Sequence, residues 1–432
     1  MSRSGGRFGA RLLTLRRLAC QLLTPAGWLR RKPDAPQRIL VLHHLLLGDT
    51  LMLTPLLARI AARYPQAERF LACPAAFNLL YTNQPYGFQA LPWNPRKPEG
   101  LQALFAAAPF DLVVIPAENR YSPLARALGA RWVLGFAGDT PRWKNWLLDE
   151  ARPFPEAPAA FGDFCADLID GPAGHYKTSD WRMPAAAPFK APAGSLSDLS
   201  DRNEPSEKTR PDSSVFEAHS GPMQRKDGRI WGVSPAGAVD QSQVRQAAHP
   251  YAVLHLGAST PLKYWPAERW MALADWLAAQ GITPVWSAGA KETALVTAAD
   301  PQARYTSYAG QLDLAQLAEL FAQARLIVCP DTGVAHLARI TGTPTVALFG
   351  PGSSLISGAG KFWADSPFTA LSVDIACRNQ TNTFRRHAEW IKRCSRSFGP
   401  GEGQCDKARC MLGIGLEAVQ AACTNRLNQD AS

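Results

Sequence analysis

The segment from Arg38 to Thr50 constrains the fold of this chain most strongly. Residues 38–45 form an apolar, β-prone run that stops at Gly48 and Asp49, and an amphipathic helical pattern follows at once. In an open parallel sheet, ligands bind beyond the carboxyl ends of the strands. The position of Asp49 therefore favours a chemical role, although Asp is also a preferred residue for capping a helix. This segment alone leaves both interpretations open.

A second strand-to-helix turn repeats this plan late in the chain. The apolar run 325–329 leads through Pro330 to Asp331 and Thr332, and another helical pattern follows. Residues 344–349 then read as one more buried strand. Two such turns, one in each half, predict two α/β domains that face each other across a cleft.

A chain of 432 residues is long enough for two domains. Strands that alternate with helices predict a parallel sheet in each. The predicted strands are 38–45, 69–73, 111–115, 131–136, 252–256, 283–287, 325–329, 344–349 and 368–373. The predicted helices are 51–63, 266–280, 291–299, 312–324 and 334–341.

The composition changes along the chain divide it into five parts. Few apolar residues occur among the Ser, Asp, Glu and Lys residues that follow Pro192, a composition that cannot offset the entropy of ordering. The predicted parts are a basic amphipathic segment (1–37), a first domain (38–185), a flexible linker or insertion (186–228), a second domain (229–376), and a Cys- and Arg-rich loop with a C-terminal helix (377–432).

The positive charge is concentrated at the N-terminus. The chain carries a net charge of +10, and residues 1–38 hold nine basic residues against one acid, which leaves about +2 for the rest. A nucleic-acid-binding protein should carry its basic residues on a folded face, so this class is disfavoured. The leucines among the N-terminal arginines predict peripheral contact of an interfacial helix with an anionic membrane. A disordered basic leader is the alternative. No apolar run is long enough for a transmembrane helix.

Four of the nine cysteines fall within 34 residues near the C-terminus. Four thiolates can form a closed structural metal site, but the spacing lacks the paired two-residue gaps of zinc ribbons. Reduced thiols are the alternative, and the sequence shows no secretory signal that would predict an oxidising compartment. The four are Cys377, Cys394, Cys405 and Cys410.

Four short motifs follow one another in the order that a known family shows. They are Gly48-Asp49-Thr50, Ser259 with Lys263 and Trp265-Pro266, Ser287-Ala288-Gly289 with Glu292, and Asp331-Thr332-Gly333 with His336. Together they resemble glycosyltransferase family 9, the heptosyltransferases of lipopolysaccharide core assembly. The resemblance covers roughly 38–185 and 229–420. It implies an α/β protein with the GT-B fold, in which two Rossmann-like domains with parallel sheets face each other.

The resemblance implies an inverting glycosyltransferase that moves a heptose from ADP-heptose to the inner core of lipopolysaccharide. Asp49 would be the base that takes the proton of the acceptor hydroxyl. The acceptor would be a lipid-borne Kdo or heptose core sugar, reached from the cytoplasm by a protein peripheral to the inner membrane. No metal or other cofactor is required, since a lysine and a helix N-terminus can neutralise the leaving diphosphate.

The donor-binding residues implied by the resemblance lie in the second half. They are Ser259, Lys263, Glu292, Asp331, Thr332, Gly333 and His336. A glutamate at this place in the family binds the donor ribose, but Lys291 competes with Glu292 for the equivalent position. His336 could equally be an ordinary helix histidine, and Lys263 a solvated surface lysine.

The segment before Asp49 departs from the family pattern. His43 and His44 replace the usual Arg- or Ser-containing residues, so His43, His44 and Thr50 are candidates for the acceptor side of the cleft. The histidines could instead merely end the strand. Three alternative functions stay open: transfer of another sugar, transfer to a protein acceptor, and binding of a nucleotide sugar without turnover.

Overall fold

The structure of the protein is a computed structural model that describes residues 3–23, 31–181, 183–187 and 250–429. The predicted linker 186–228 lies outside the described residues except for its first two positions, and so does the predicted start of the second domain at residue 229.

Six parallel strands form the sheet of the first half. They are β1 (Arg38–Leu42), β2 (Glu68–Pro74), β3 (Phe88–Trp93), β4 (Leu112–Ile115), β5 (Trp132–Phe136) and β6 (Glu150–Arg152). Their order across the sheet is β3-β2-β1-β4-β5-β6. The order reverses between β1 and β4, which places a crevice beyond the carboxyl ends of these two strands.

The α-helices of this half cover the sheet on both faces. They are α1 (Arg3–Leu22), α2 (Leu47–Leu51), α3 (Thr54–Arg63), α4 (Gln102–Ala107), α5 (Ser122–Ala127), α6 (Phe161–Ala166) and α7 (Thr178–Trp181). Ile39 and Val41 of β1 join one apolar cluster, while Leu40 and Leu42 point to the other face and join a second. Burial of such a side chain contributes roughly 1.5–3 kcal/mol. Both faces are buried, which explains the unbroken apolar run.

The second half repeats this topology. Its parallel strands are β7 (Tyr251–His255), β8 (Thr283–Ser287), β9 (Thr306–Ser307), β10 (Leu326–Pro330), β11 (Thr345–Phe349) and β12 (Phe368–Ser372), in the order β12-β11-β10-β7-β8-β9. Its α-helices are α8 (Ala267–Ala279), α9 (Thr293–Ala299), α10 (Leu314–Ala322), α11 (Gly333–Ile340), α12 (Arg409–Leu412) and α13 (Leu416–Gln429). Here the order reverses between β10 and β7.

Between β12 and α12 the chain forms a segment of short strand pairs that reaches back to the first half. The pairs are β13 (Asn382–Thr383) with β14 (Arg386–His387), and β15 (Ser397–Phe398) with β16 (Gln404–Cys405). The buried guanidinium of Arg386 donates to the carbonyl oxygens of Ala137 and Ala117, at 2.7 and 2.8 Å. The segment therefore fastens the second half to the first.

The predicted fold class is confirmed, and the nine predicted strands are all present within three residues of their predicted bounds. Three strands of the two six-stranded sheets were missed, β3, β6 and β9, and so were the four short strands β13 to β16. The predicted helix 51–63 is two helices, because the chain turns at residues 52–53 between α2 and α3. Among the described residues, no helix is long and apolar enough to span a membrane.

Candidate active site

A cavity of about 1000 Å³ lies between the two sheets. Its walls come from both halves: α2 and α6 in the first half, the loops after β7, β8, β10 and β11 in the second, and the segment 383–396. This volume is at the upper end of small-molecule sites. The cavity lies beyond the carboxyl ends of central strands in both sheets, where the strand order predicts a ligand.

Lys263 and Asp331 meet at the crevice of the second sheet. Lys263 follows β7 and Asp331 follows β10, so the two come from the neighbouring strands between which the order reverses. The ammonium group of Lys263 lies 3.1 Å from Oδ2 of Asp331 and also donates to the Asp331 carbonyl oxygen. Two of its three N–H donors are thereby used, and one is left for a ligand. Lys263 is therefore not a solvated surface lysine.

Asp49 lies in the first turn of α2 and lines the cavity. The residue before the helix is Leu46, and no side chain caps the helix start, so the alternative that Asp49 is the N-cap is wrong. No hydrogen bond or ion pair with another described residue holds its carboxylate. Burial, assisted by nearby Asp331, raises the pKa of Asp49 to about 6, although Arg393 and Lys263 oppose the shift. Asp49 is thus an unpaired carboxylate that is mostly ionised at pH 7 and binds a proton readily.

The two Asp-containing turns touch each other across the cleft. A Cβ atom built on Gly48 would lie 2.8 Å from Cδ2 of His336 and 3.2 Å from Cα of Gly333. A Cβ on Gly333 would lie 3.0 Å from Cβ of Leu47. Only glycine at both positions lets the starts of α2 and α11 approach this closely.

The start of α11 has the form of an anion site. Thr332 is its N-cap, and the hydroxyl of Thr332 accepts a hydrogen bond from the Val334 amide at 3.2 Å. The Gly333 amide has no intrahelical partner, as expected for the first residue of a helix. His336, one turn later, is buried, and its Nδ1 atom has no partner among the described residues. Burial holds the pKa of His336 well below 6.5, so the ring is neutral.

Glu292, rather than Lys291, belongs to the cavity. The Glu292 carboxylate lines it and accepts a hydrogen bond from the Gly289 amide at 3.1 Å, whereas Lys291 is exposed outside it. A Cβ on Gly257 would lie 2.0 Å from Oε2 of Glu292, so the carboxylate occupies space that glycine leaves open. Ser259 also lines the cavity. All seven predicted donor-side residues therefore line one cavity.

The three predicted acceptor-side residues do not line this cavity. Thr50 is fully buried and its hydroxyl donates to the Leu46 carbonyl oxygen at 2.9 Å. His43 is 2% exposed, and its Nδ1 accepts from the Leu45 amide at 3.2 Å. His44 is half-buried and packs edge-on against Trp93. For Thr50 and His43 the expectation of acceptor contact is wrong, because both side chains are enclosed by their own strand-to-helix turn.

The cavity also contains residues that were not among the predicted catalytic, donor-binding and acceptor-side residues. Arg393 and Arg396 add positive charge to its wall, and Thr383 and Phe384 lie beside them. In the sequence, the two arginines belong to the group of basic residues around the C-terminal cysteines. Two further members, His255 and Ser287, end neighbouring strands and bond through Nδ1 and Oγ at 3.0 Å.

The C-terminal cysteines are all free thiols. Cys394 lines the cavity, and its amide donates to the Pro351 carbonyl oxygen at 3.0 Å. Within the described parts of the chain, no group of three or more His, Cys, Asp or Glu side chains is arranged to hold a metal ion. The metal alternative for this cluster therefore has no support in the geometry.

Two parallel doubly wound sheets with a cavity between their carboxyl ends are the architecture of the GT-B class of two-domain proteins. Within that class, residues 221–381 match the model of glycosyltransferase family 9 (heptosyltransferase). The resemblance seen in the motifs is thereby confirmed for residues 221–381, which make up a little over a third of the chain.

Relatives of known sequence agree with this assignment. Lipopolysaccharide heptosyltransferase 1 of Pseudomonas aeruginosa is 34% identical over 126 residues, which cover 28% of this chain and 35% of that protein. The protein of the same name from Escherichia coli K12 is 32% identical over 117 residues, 26% of this chain and 36% of that one. The matched stretch thus spans about a third of the length of these relatives.

Solved structures share the fold over most of the chain. ADP-heptose lipopolysaccharide heptosyltransferase II of E. coli superposes with a TM-score of 0.57 at 19% identity, covering 92% of this chain and all of that one. A family 9 glycosyltransferase from Veillonella parvula gives 0.54 at 16% identity, covering 79% and 87%. At these identities the likeness establishes the fold alone.

Proposed function

We propose that the protein is an inverting glycosyltransferase that moves a heptose from ADP-heptose to the inner core of lipopolysaccharide. One observation carries the proposal. An unpaired carboxylate with a raised pKa, Asp49, faces a cation and a helix start, Lys263 and Gly333, across a single cavity. A base on one wall and diphosphate-binding groups on the other are what a single displacement at an anomeric carbon needs.

The course of the reaction follows from the placement of the base on one wall of the cavity and of the diphosphate-binding groups on the other. The acceptor hydroxyl lies on the Asp49 side, and its oxygen attacks the anomeric carbon of the donor from the face opposite the diphosphate. The new C–O bond forms as the bond to the diphosphate oxygen breaks. The hydroxyl proton passes to the Asp49 carboxylate, and the electron pair leaves with ADP. One displacement inverts the anomeric carbon.

The donor side stabilises the leaving group. The remaining N–H of Lys263 and the amide of Gly333 point to the diphosphate, where their charge and dipole stabilise the negative charge that develops. Glu292 accepts hydrogen bonds from the ribose hydroxyls, as carboxylates do in other Rossmann-like domains. That the donor nucleobase is adenine is inferred from a similar protein. A solved heptosyltransferase of E. coli holds ADP-2-deoxy-2-fluoro-heptose and has a TM-score of 0.52 with this chain.

The acceptor is an anionic, lipid-borne core sugar such as Kdo or heptose. Arg393 and Arg396 supply cations to the wall of the cavity, and no step that we assign to the described residues needs a metal. We infer from the family resemblance that the reaction takes place at the cytoplasmic face of the inner membrane.

The test is a donor panel with a turnover measurement. Thermal shift is recorded with ADP-heptose, UDP-sugars and GDP-sugars, followed by mass spectrometry of transfer to a Kdo-bearing lipid acceptor. We expect stabilisation by ADP-heptose alone, and a product one heptose heavier. Stabilisation without product would support the binding protein instead, and a stronger response to a UDP- or GDP-sugar would overturn the assigned donor.

A further inference from the structure

A second cavity lies at the far end of helix α11. Its volume is about 350 Å³, near the lower end of small-molecule sites. Residues from the segments 176–179 and 362–367 line it together with Arg339 and Gly342. We propose that this second cavity binds a phosphate group, either free or carried by a molecule of about the size of a monosaccharide. The proposal goes beyond the transfer reaction, and its test needs neither donor nor acceptor.

The second cavity is separate from the candidate active site. Helix α11 begins at Gly333 in the active site and ends at Ile340, so its two ends lie about 12 Å apart. The two cavities share no lining residue. The Tyr176 hydroxyl donates to the Ile340 carbonyl oxygen and holds the segment 176–179 against this end of the helix. A ligand in the second cavity would therefore not occupy the donor site.

Arg339 is a buried cation that forms no ion pair with a described residue. It is 2% exposed, its terminal nitrogens donate to the carbonyl oxygens of Gly358 and Ser357 at 3.0 and 3.2 Å, and its Nε has no partner in the described chain. The ring centres of Trp363 and Phe368 lie 5.4 and 3.9 Å from the guanidinium carbon. Carbonyl groups and rings attract a cation without neutralising it. A buried charge is normally paired, because its removal from water is costly.

The two carboxylates whose charge reaches Arg339 are engaged elsewhere. The Asp163 carboxylate accepts hydrogen bonds from two backbone amides at 2.5 and 3.1 Å, and Asp331 is bound by Lys263. Burial lowers the pKa of Arg339 to about 9, although both carboxylates oppose the shift. The guanidinium is therefore still charged at pH 7, and its charge is available to an anion in the second cavity.

The other groups that line the second cavity also suit a phosphate group. Lys177 is exposed at the rim and adds a second cation, and the hydroxyl groups of Thr178 and Ser179 lie beside it. Asp365 is the only acidic residue that lines the cavity in the described chain. Its side chain is 87% exposed and lies 3.6 Å from Nδ1 of His175, so water screens its charge. A guanidinium and an ammonium group together are typical of phosphate sites.

The experiment is calorimetric titration of the full chain with inorganic phosphate, glucose 6-phosphate and glucose at constant ionic strength. We expect both phosphate compounds to bind and glucose not to bind. Tighter binding of glucose 6-phosphate than of phosphate would show that the cavity also holds the sugar, and equal binding that it holds the phosphate group alone.

Three variants locate the binding. Arg339→Met should abolish it. Lys177→Glu, at an exposed position, should weaken it about tenfold, because it replaces an attractive charge with a repulsive one. Lys291→Glu is the matched control, since Lys291 is exposed and lines neither cavity, and it should bind like the parent chain. If the Arg339→Met chain does not fold, the comparison of Lys177→Glu with Lys291→Glu is decisive.

Phosphate bound beside Lys263 in the active site is distinguished by a titration of Lys263→Met. Binding in the second cavity should persist in this variant. Binding that is lost in Lys263→Met and unchanged in Lys177→Glu would overturn the proposal. So would the absence of binding of both phosphate compounds, glucose binding as tight as that of glucose 6-phosphate, or equal effects of Lys177→Glu and Lys291→Glu. A parent chain that binds phosphate in the second cavity but transfers no heptose contradicts only the proposed function.

Discussion

The turns that carry Asp49 and Asp331 share one sequence plan and have different surroundings. Each follows a buried central strand and leads into a helix. Asp331 is bound by Lys263, whereas Asp49 has no hydrogen-bond or ion-pair partner in the described chain. The difference lies in what the neighbouring strand supplies: β7 leads to a lysine that reaches Asp331, and no cation from the first sheet reaches Asp49.

This comparison teaches that an Asp after a parallel strand acquires its role from its partners. A carboxylate bound to an ammonium group holds that group in place and is a poor base. A desolvated, unpaired carboxylate binds protons more strongly and suits general-base catalysis. We therefore expect removal of the two carboxylates to affect different kinetic constants.

Replacing Asp49 with Asn should have the largest effect. The amide keeps the shape but cannot take a proton, so the transfer rate should fall by about a thousandfold. Donor affinity, measured by calorimetry with ADP-heptose, should stay close to that of the parent chain. The matched variant is Asp331→Asn, which should weaken donor binding more than turnover. Equal effects of the two variants on both constants would refute the division of roles.

Replacing Lys263 with Met should have the second-largest effect. It removes the cation that we propose to bind the diphosphate and leaves the buried Asp331 carboxylate unpaired. Donor affinity should therefore fall by roughly 10- to 100-fold, a loss of about 1.4–2.8 kcal/mol. Lys263→Arg keeps the charge and serves as the control. The measurement is ADP binding by calorimetry. If the Met variant binds ADP as tightly as the parent chain, Lys263 does not contact the diphosphate.

The pH dependence should report Asp49 directly. Its pKa is raised to about 6, so the base form prevails above pH 6 and is lost below it. We expect kcat/KM to fall about tenfold for each pH unit below that value, since this constant follows ionisation in the free enzyme. The small residual rate of Asp49→Asn should lack this step. A profile that stays level down to pH 5 would contradict the assignment.

The smallest effect concerns stability. Burial raises the pKa of Asp49 from 3.8 to about 6, so its ionised form destabilises the folded state above pH 6 and this cost vanishes below about pH 4. Asp49→Asn should therefore raise the free energy of unfolding at pH 7.5, by about 1–2 kcal/mol. Chemical denaturation at pH 7.5 and pH 4 provides the check. An equal gain at both pH values would show that the carboxylate charge is not the cause.

Much of the fold could be predicted because both sheets are buried on both faces. Central strands such as β1 and β10 are continuous apolar runs that need no tertiary information to recognise. The strands that were missed in the two six-stranded sheets lack this signal: β3 contains Gln89 and Pro92, β6 has the sequence Glu-Ala-Arg, and β9 has two residues. These strands lie at sheet edges and form because the neighbouring strand offers hydrogen bonds. The residues of the edge strand do not show which strand will be its neighbour.

The residues of the candidate site also fall into those that the sequence predicts and those that it does not. Asp49, Lys263, Glu292 and Asp331 could be located because they follow recognisable strands, and the motif order supplied their expected roles. The basic residues around the C-terminal cysteines, Arg393 and Arg396 among them, suggested only a contact with an anionic acceptor. Their place in the cavity could not be predicted, since their segment of short strand pairs follows a path that depends on buried contacts such as that of Arg386. The predicted acceptor contacts of His43 and Thr50 failed because the side-chain direction after a strand depends on how the next helix packs.

The sequence by itself determined two parallel α/β halves, each with a carboxylate beyond a central strand, because apolar periodicity and strand-to-helix turns are local properties. Only the tertiary structure decided that Asp331 is paired and Asp49 is not, since this depends on which side chains the sheet order brings together. It also decided that glycines at 48 and 333 let the two helix starts meet. The role of a charged group depends on the atoms around it, and those atoms come from distant parts of the chain.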